Sequence, residues 1–175
     1  GFSTLLGNDH LSVLDTSQTP ADPGYIDLGS YSNSIYHAGC VRRDYNQAYM
    51  NDNLSFLNGL TPSATSNPNV VDIYNELNNA GIINYSIQWT GYFTPTTSGT
   101  QNYMFRTTSD DCSYFWIGTP ALVPTIDNVN INNGGAHGQR TVNGAKVALT
   151  AGSYYPIRVM YGEAGGGAKI GRAHV

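Results

Sequence analysis

The sequence predicts an all-β protein, a single antiparallel β-sandwich with one short helix and an irregular N-terminal extension. Three observations carry this. Ser86–Phe93 alternates with period two: Ile87, Trp89, Gly91 and Phe93 fall on one face, Gln88, Thr90 and Tyr92 on the other. After Gly81, short apolar runs of strand length recur, each closed by a turn signal. Charged residues make up only 11% of the chain, against roughly 25% in ordinary soluble proteins, and Asn, Thr, Ser and 20 Gly supply the polarity instead. Strands in series, without alternating helices, argue for a sandwich over a parallel α/β sheet.

The elements follow in order. Leu5-Leu6, Leu11–Leu14 and Tyr25–Leu28 are short apolar pieces among turn signals at Pro20, Pro23-Gly24 and Ser30, and read as edge strands with loops. Residues 31–66 read as irregular and polar, so 1–66 is expected to be an extension and 67–175 the sandwich core, within one compact domain overall. Asn69 can cap a helix whose Val70, Ile73, Tyr74 and Leu77 share a face, and Gly81 can stop it. Thr94–Gly99 is a turn, from which Thr100–Thr107 is expected to return as a hairpin partner of Ser86–Phe93. Ser113–Ile117, Asn128–Ile131, Ala145–Leu149 and Tyr154–Tyr161 continue the strands, with Ala151-Gly152-Ser153 as the turn before the last.

At 175 residues the chain supports one domain with a substantial core. Net charge is −4, and the only basic pair, Arg42-Arg43, is followed at once by Asp44. Phosphate-driven nucleic-acid binding is therefore not expected. No apolar run approaches the roughly 20 residues of a membrane-spanning helix, so no membrane insertion is expected. The sequence opens Gly1-Phe2-Ser3 without Met, which reads as a processed chain or an excerpt. Cys40 and Cys112 could form one disulfide closing a long loop, on the order of 4 kcal/mol in the chain-entropy model. Otherwise they are two buried free thiols.

Asp110 and Asp111 lie side by side at a strand-to-strand turn, where two carboxylates repel unless a positive charge sits between them. A second oxygen-rich loop, Tyr161–Gly167, follows a strong strand about fifty residues later. Two such loops meeting at one end of a sandwich would make a hard-cation site. Catalytic patterns are missing: no His-Glu-x-x-His, no Gly-x-Ser-x-Gly, and no carboxylate pairing suited to glycoside hydrolysis. The chain therefore reads as a binding module rather than an enzyme. Trp116 is expected in the core. The loop 124–139 offers Asn132, Asn133, Gly134-Gly135, His137 and Gln139 either for hydrogen bonding to a glycan or as turn residues. Asn53-Leu54-Ser55 and Asn84-Tyr85-Ser86 match the N-glycosylation triplet.

Trp89-Thr90-Gly91-Tyr92-Phe93, the Ser98-Gly99 turn, Asp110-Asp111 and Gly152-Ser153-Tyr154-Tyr155-Pro156-Ile157-Arg158 occur in the order of a known family. Over roughly Ile83 to Ile170 the sequence resembles the protective-antigen-type (PA-fourteen) β-sandwich superfamily, which includes flocculins, GLEYA-type fungal adhesins and bacterial adhesin modules. Trp116-Ile117-Gly118 and Asn132–Gly135 are also similar to sandwich domains of phage virion proteins. The resemblance implies a cis peptide between Asp110 and Asp111 and a Ca²⁺ ion held by both carboxylates. Glu163 would stand where the family has Asn, with carbonyls from Gly165 and Gly167. Calcium takes six to eight oxygens, leaving positions for sugar hydroxyls. Asp110, Asn133, His137 and Glu163 are then expected at the carbohydrate. The expected partners are surface glycans and further copies of the chain in a larger assembly, at an extracellular, cell-surface or virion-surface location. The alternative role is an assembly subunit in which calcium only rigidifies loops. The ending, Ala168–Val175, departs from the family's last apolar strand.

Overall fold

The computed structural model describes residues 11–15, 25–27, 40–67 and 83–165. The helix expected over 69–81, Gly167 and the divergent ending lie outside the described residues. Among these residues ten strands are present: β1 (Leu11–Asp15), β2 (Tyr25–Asp27), β3 (Cys40–Tyr45), β4 (Ala64–Ser66) and β5 (Tyr85–Phe93). They continue with β6 (Thr100–Ser109), β7 (Cys112–Ile117), β8 (Ile131–Asn133), β9 (Arg140–Thr150) and β10 (Tyr155–Glu163). Thr119–Ala121 forms a 3-10 turn. Every strand pairing is antiparallel.

Two sheets pack as a sandwich, one ordered β2-β1-β6-β9 and the other β4-β3-β5-β10-β7-β8. β5 alternates as its sequence requires, with Ile87, Trp89 and Phe93 buried and Tyr92 exposed on the opposite face. The hairpin expected between β5 and β6 does not form. Both edges of β5 are taken, by β3 and β10, and the chain crosses at Thr94–Gly99 into the opposite sheet. Contact between β5 and β6 is instead face to face across the core. Phe93 meets Tyr103 and Phe105 edge-on at 5.7 and 5.5 Å, each pair contributing about 0.5–1.5 kcal/mol beyond area burial.

The N-terminal stretch contributes strands to both sheets: β1 pairs with β6, and β3 lies inside the six-stranded sheet between β4 and β5. The segment 40–45 looks polar in sequence because Arg42 and Asp44 share a face. They neutralise each other through Arg42 Nη2 and Asp44 Oδ1 at 2.7 Å, with the guanidinium 5.8 Å from the Trp89 ring centre.

A second apolar cluster lies on the outer face of the six-stranded sheet, where Tyr114, Trp116 and Met160 are covered by Met50 and Leu57 of the β3–β4 loop and by Ala121. Trp116 is fully buried there and donates from Nε1 to the carbonyl of Thr125 at 3.0 Å. Gly162 permits this layer. A Cβ at that position would lie 2.9 Å from Met50 Cγ and 3.0 Å from Cys112 Sγ. Cys40 and Cys112 are separate, buried free thiols, so the disulfide alternative is corrected. Cys40 packs in the inter-sheet core and Cys112 in the outer cluster.

Candidate metal centre

Between Ser109, the last residue of β6, and Cys112, the first of β7, only Asp110 and Asp111 remain, and there the chain passes from the four-stranded to the six-stranded sheet. Their peptide bond is cis. A buried hydrogen-bonded frame supports the crossing. Ser109 and Ser113 hydroxyls lie 2.7 Å apart, and Asn133 Nδ2 donates to Ser109 Oγ at 2.9 Å and to the Arg140 carbonyl at 3.1 Å. Arg140 returns the contact, donating from Nε to Asn133 Oδ1 at 2.7 Å and from Nη2 to the Gly134 carbonyl at 2.7 Å.

Glu163 reaches the same place from the end of β10. It follows Tyr161 by two residues and so shares its core-facing side. The strand register, Gly162 opposite Cys112, brings the end of β10 level with the start of β7. Carboxylate oxygens of Asp110, Asp111 and Glu163 all lie within 4.8 Å of one another.

Each carboxylate is held differently. Asp111 is buried and accepts two backbone N–H groups, from His137 at Oδ1 (3.0 Å) and Ala164 at Oδ2 (2.8 Å). Glu163 is also buried, accepting from Gly165 N–H at Oε1 (2.9 Å) and from the Tyr161 hydroxyl at Oε2 (3.3 Å), while that hydroxyl also bonds the Asp110 carbonyl. Asp110 is half-buried. Burial and then the neighbouring Asp111 charge push its carboxyl up, opposed by His137 and the Gln139 backbone N–H. Burial is also the main cause raising Glu163; Asp111 and Asp110 add to it, while the Gly165 and Tyr161 donors oppose it.

One further position expected at the carbohydrate sits otherwise. Asn133 is fully buried with both ends of its amide engaged, which corrects its expected contact with a carbohydrate: it braces the loop from behind. Gly165, at φ 108, turns its N–H to Glu163. His137 is half-buried beside the trio, its ring Nδ1 2.8 Å from the Gly138 carbonyl and its Nε2 3.3 Å from that of Asn133.

Asp52, within the stretch 31–66 that reads as irregular and polar, is a participant that sequence reasoning missed. In a left-handed conformation (φ 63) it accepts from the Tyr114 hydroxyl and, at 2.8 Å, from Gly135 N–H. It thereby ties the β3–β4 loop to the loop carrying His137. The only local signal was the run of Asn and Asp, residues that tolerate that conformation.

The donor set fits a hard divalent cation. Its candidate ligands are all oxygen and three carboxylates converge, two of them with pKa values raised first by burial and further by their neighbours' charge. No helix among the described residues is long and apolar enough to cross a membrane.

No curated protein sequence matches the chain. Among solved structures it is similar to the β-glucosidase of Kluyveromyces marxianus in complex with glucose, at 19% identity over 91% of this chain and 17% of that one, with a TM-score of 0.47. The selenomethionine-labelled form of that enzyme gives 20% identity, 98% and 18% coverage and the same score. The chain therefore spans under a fifth of the β-glucosidase's length. The PA14 domain of the MpAFP antifreeze protein gives 16% identity, 94% and 80% coverage and a TM-score of 0.38. Residues 85–172, half of the chain, match the GLEYA domain, a carbohydrate-binding adhesin domain. That span runs from the first residue of β5 through the crossing at Asp110-Asp111 to beyond Glu163, and the chain belongs to the GLEYA domain family.

Proposed function

We propose that the chain is a non-catalytic, calcium-dependent carbohydrate-binding module of a cell-surface or extracellular adhesin. The convergence of Asp110, Asp111 and Glu163 carries this reading, within a family of carbohydrate-binding adhesin domains. Asp110, Asp111 and Glu163 would hold Ca²⁺, with carbonyls of Gly165 and Gly167 completing the protein's share. When bound, the ion supplies coordination positions for neighbouring sugar hydroxyls. Asp111 fixes the loop geometry through its two backbone N–H bonds. Asp110, the most open of the three, accepts hydrogen bonds from those hydroxyls, and His137 borders them. Asn133 and Arg140 keep the loop in place from beneath. Glu163 in place of the family's Asn adds a third negative charge, which favours tighter cation binding. Single-site affinity for a sugar is expected to be weak, with several copies on one surface supplying avidity.

Calorimetry of Ca²⁺ binding to the wild type and Asp111→Ala, followed by a glycan array with and without chelator, tests this. Chelator-sensitive glycan binding, with calcium binding lost in the variant, is the expected result. Calcium binding without any glycan signal would sink the lectin reading. It would favour the second reading, an assembly subunit with calcium-stiffened loops. That reading draws on β4, an exposed edge strand, and on the exposed Leu122, Val123 and Ile126.

A further inference from the structure

Arg43 and Arg158 stand on the outer face of the six-stranded sheet, on either side of β5. Arg43 of β3 pairs with Gln88, and Arg158 of β10 pairs with Thr90. Cross-strand partners share a face and so do residues two apart, so Arg43, Gln88, Thr90 and Arg158 form one patch. Arg43 Nη1 donates to Thr90 Oγ1 at 3.2 Å, which sets its guanidinium over Arg158's own register partner. Arg158 Nε donates to the Ala121 carbonyl at 2.9 Å.

Among the described residues neither guanidinium meets a carboxylate. The salt bridge found among the described residues joins Arg42 to Asp44 on the other face of β3. Two half-buried cations placed together, with no acid of the described residues between them, suit an anion from outside. Burial, and then the charge of Arg43, hold Arg158 below its ordinary pKa. Tyr92 lies on the same face two residues beyond Thr90, opposite Pro156, and is 66% exposed. It offers an open ring face beside the two cations.

We propose that Arg43 and Arg158, placed on either side of Thr90 and bordered by Tyr92, bind the carboxylate of an acidic sugar at a site separate from the metal centre. Planar guanidinium edges match a carboxylate in paired hydrogen bonds, and the tyrosine ring covers the apolar face of the pyranose. Arg158 and Glu163 are five residues apart on one strand, about 16 Å at the usual rise. The anion part of the site is therefore independent of the metal. Its sugar part rests on the carbohydrate-binding reading.

The test is calorimetry and NMR of the whole chain in EDTA, with trigalacturonic acid, its neutral methyl ester, and inorganic sulfate as probes. The acidic trisaccharide is expected to bind without calcium and to shift the Arg43 and Arg158 Nε–H resonances of the wild type. The ester is expected to leave them unmoved. Arg43→Gln should weaken binding at least about tenfold, the scale of a charge-assisted hydrogen bond. Arg158→Gln also loses the Ala121 anchor, so the wild-type resonances keep the test decisive should that variant fail to fold. No binding in EDTA, or binding indifferent to Arg43→Gln with no arginine shifts, would overturn the proposal. Sulfate binding without uronate binding would overturn it as a sugar site. Calcium-dependent binding of neutral glycans, read separately on the array, decides the metal site's function independently of either result.

Discussion

Asp111 Oδ2 accepts the backbone N–H of Ala164 at 2.8 Å while its Oδ1 accepts that of His137 at 3.0 Å, so one carboxylate fastens two distant loops to the crossing between the sheets. This bracing does not depend on an ion. Asp110, in the same turn, is instead penalised as a charge, first by burial and then by Asp111 beside it.

The two aspartates should therefore respond in opposite ways. Asp111→Ala leaves two N–H groups without their acceptor and is expected to destabilise even the chelated protein by about 2–4 kcal/mol. Asp110→Asn removes a crowded charge, and the chelated protein should be as stable as wild type or more so. Both variants should lose most of their calcium affinity. Urea unfolding in EDTA, with calorimetry alongside, checks this, and equal destabilisation by both would refute the division of labour.

Metal-free stability should fall as pH rises. Asp110 and Glu163 have folded-state pKa values above their ordinary 3.8 and 4.5. Between those ordinary values and the raised ones the folded state binds more protons than the unfolded chain. By linkage, stability declines through that window and levels off once both groups are ionised in both states. Calcium competes with those protons, so its affinity should rise over the same range. Thermal melts from pH 4 to 8, with EDTA or excess calcium, should diverge as pH increases.

Asn133→Ala should be a stability variant before it is a binding variant. Removing the buried amide strips partners from Ser109 Oγ, the Arg140 carbonyl and Arg140 Nε. A loss of about 2–3 kcal/mol is expected. At temperatures where the variant remains folded, its ranking of glycans on an array should match wild type. A changed ranking would place the residue in contact with the ligand after all.

Both thiols should be silent until the chain unfolds. Burial pushes Cys40 up to about 11 and, with the nearby Asp52 charge adding to it, Cys112 up to about 12. Thiolate is therefore scarce at pH 8. An aromatic disulfide reagent should titrate no thiol in native protein and two in denaturant, and reductant should leave the melting temperature unchanged.

Much of the sandwich was legible because alternation survives in strands with one face buried, as in β5, and because Asp110-Asp111 stand adjacent in sequence. What escaped was relational. Thr94–Gly99 looked like a hairpin turn because sequence shows a turn but not which sheet receives the next strand. β3 looked irregular because Arg42 and Asp44 cancel each other on a buried face, which no hydropathy pattern registers. Asn133 looked like a loop amide until Ser109 and Arg140 were seen to enclose it. Asp52 joins the site through contacts such as those to Tyr114 and Gly135, 62 and 83 residues away in sequence.

The register of β7 against β10 has a further consequence. Gly162 faces Cys112, and that alignment brings Glu163 to the aspartates. A slip of one residue would turn every side chain of β10 to the opposite face, carrying Glu163 away and driving the others against Gly162's crowded neighbours. On the calcium-binding reading, capture of an ion would certify the assembly of the sheet: only a chain whose strands have docked in the right step could close three carboxylates on one cation, and a misaligned copy would be left without it.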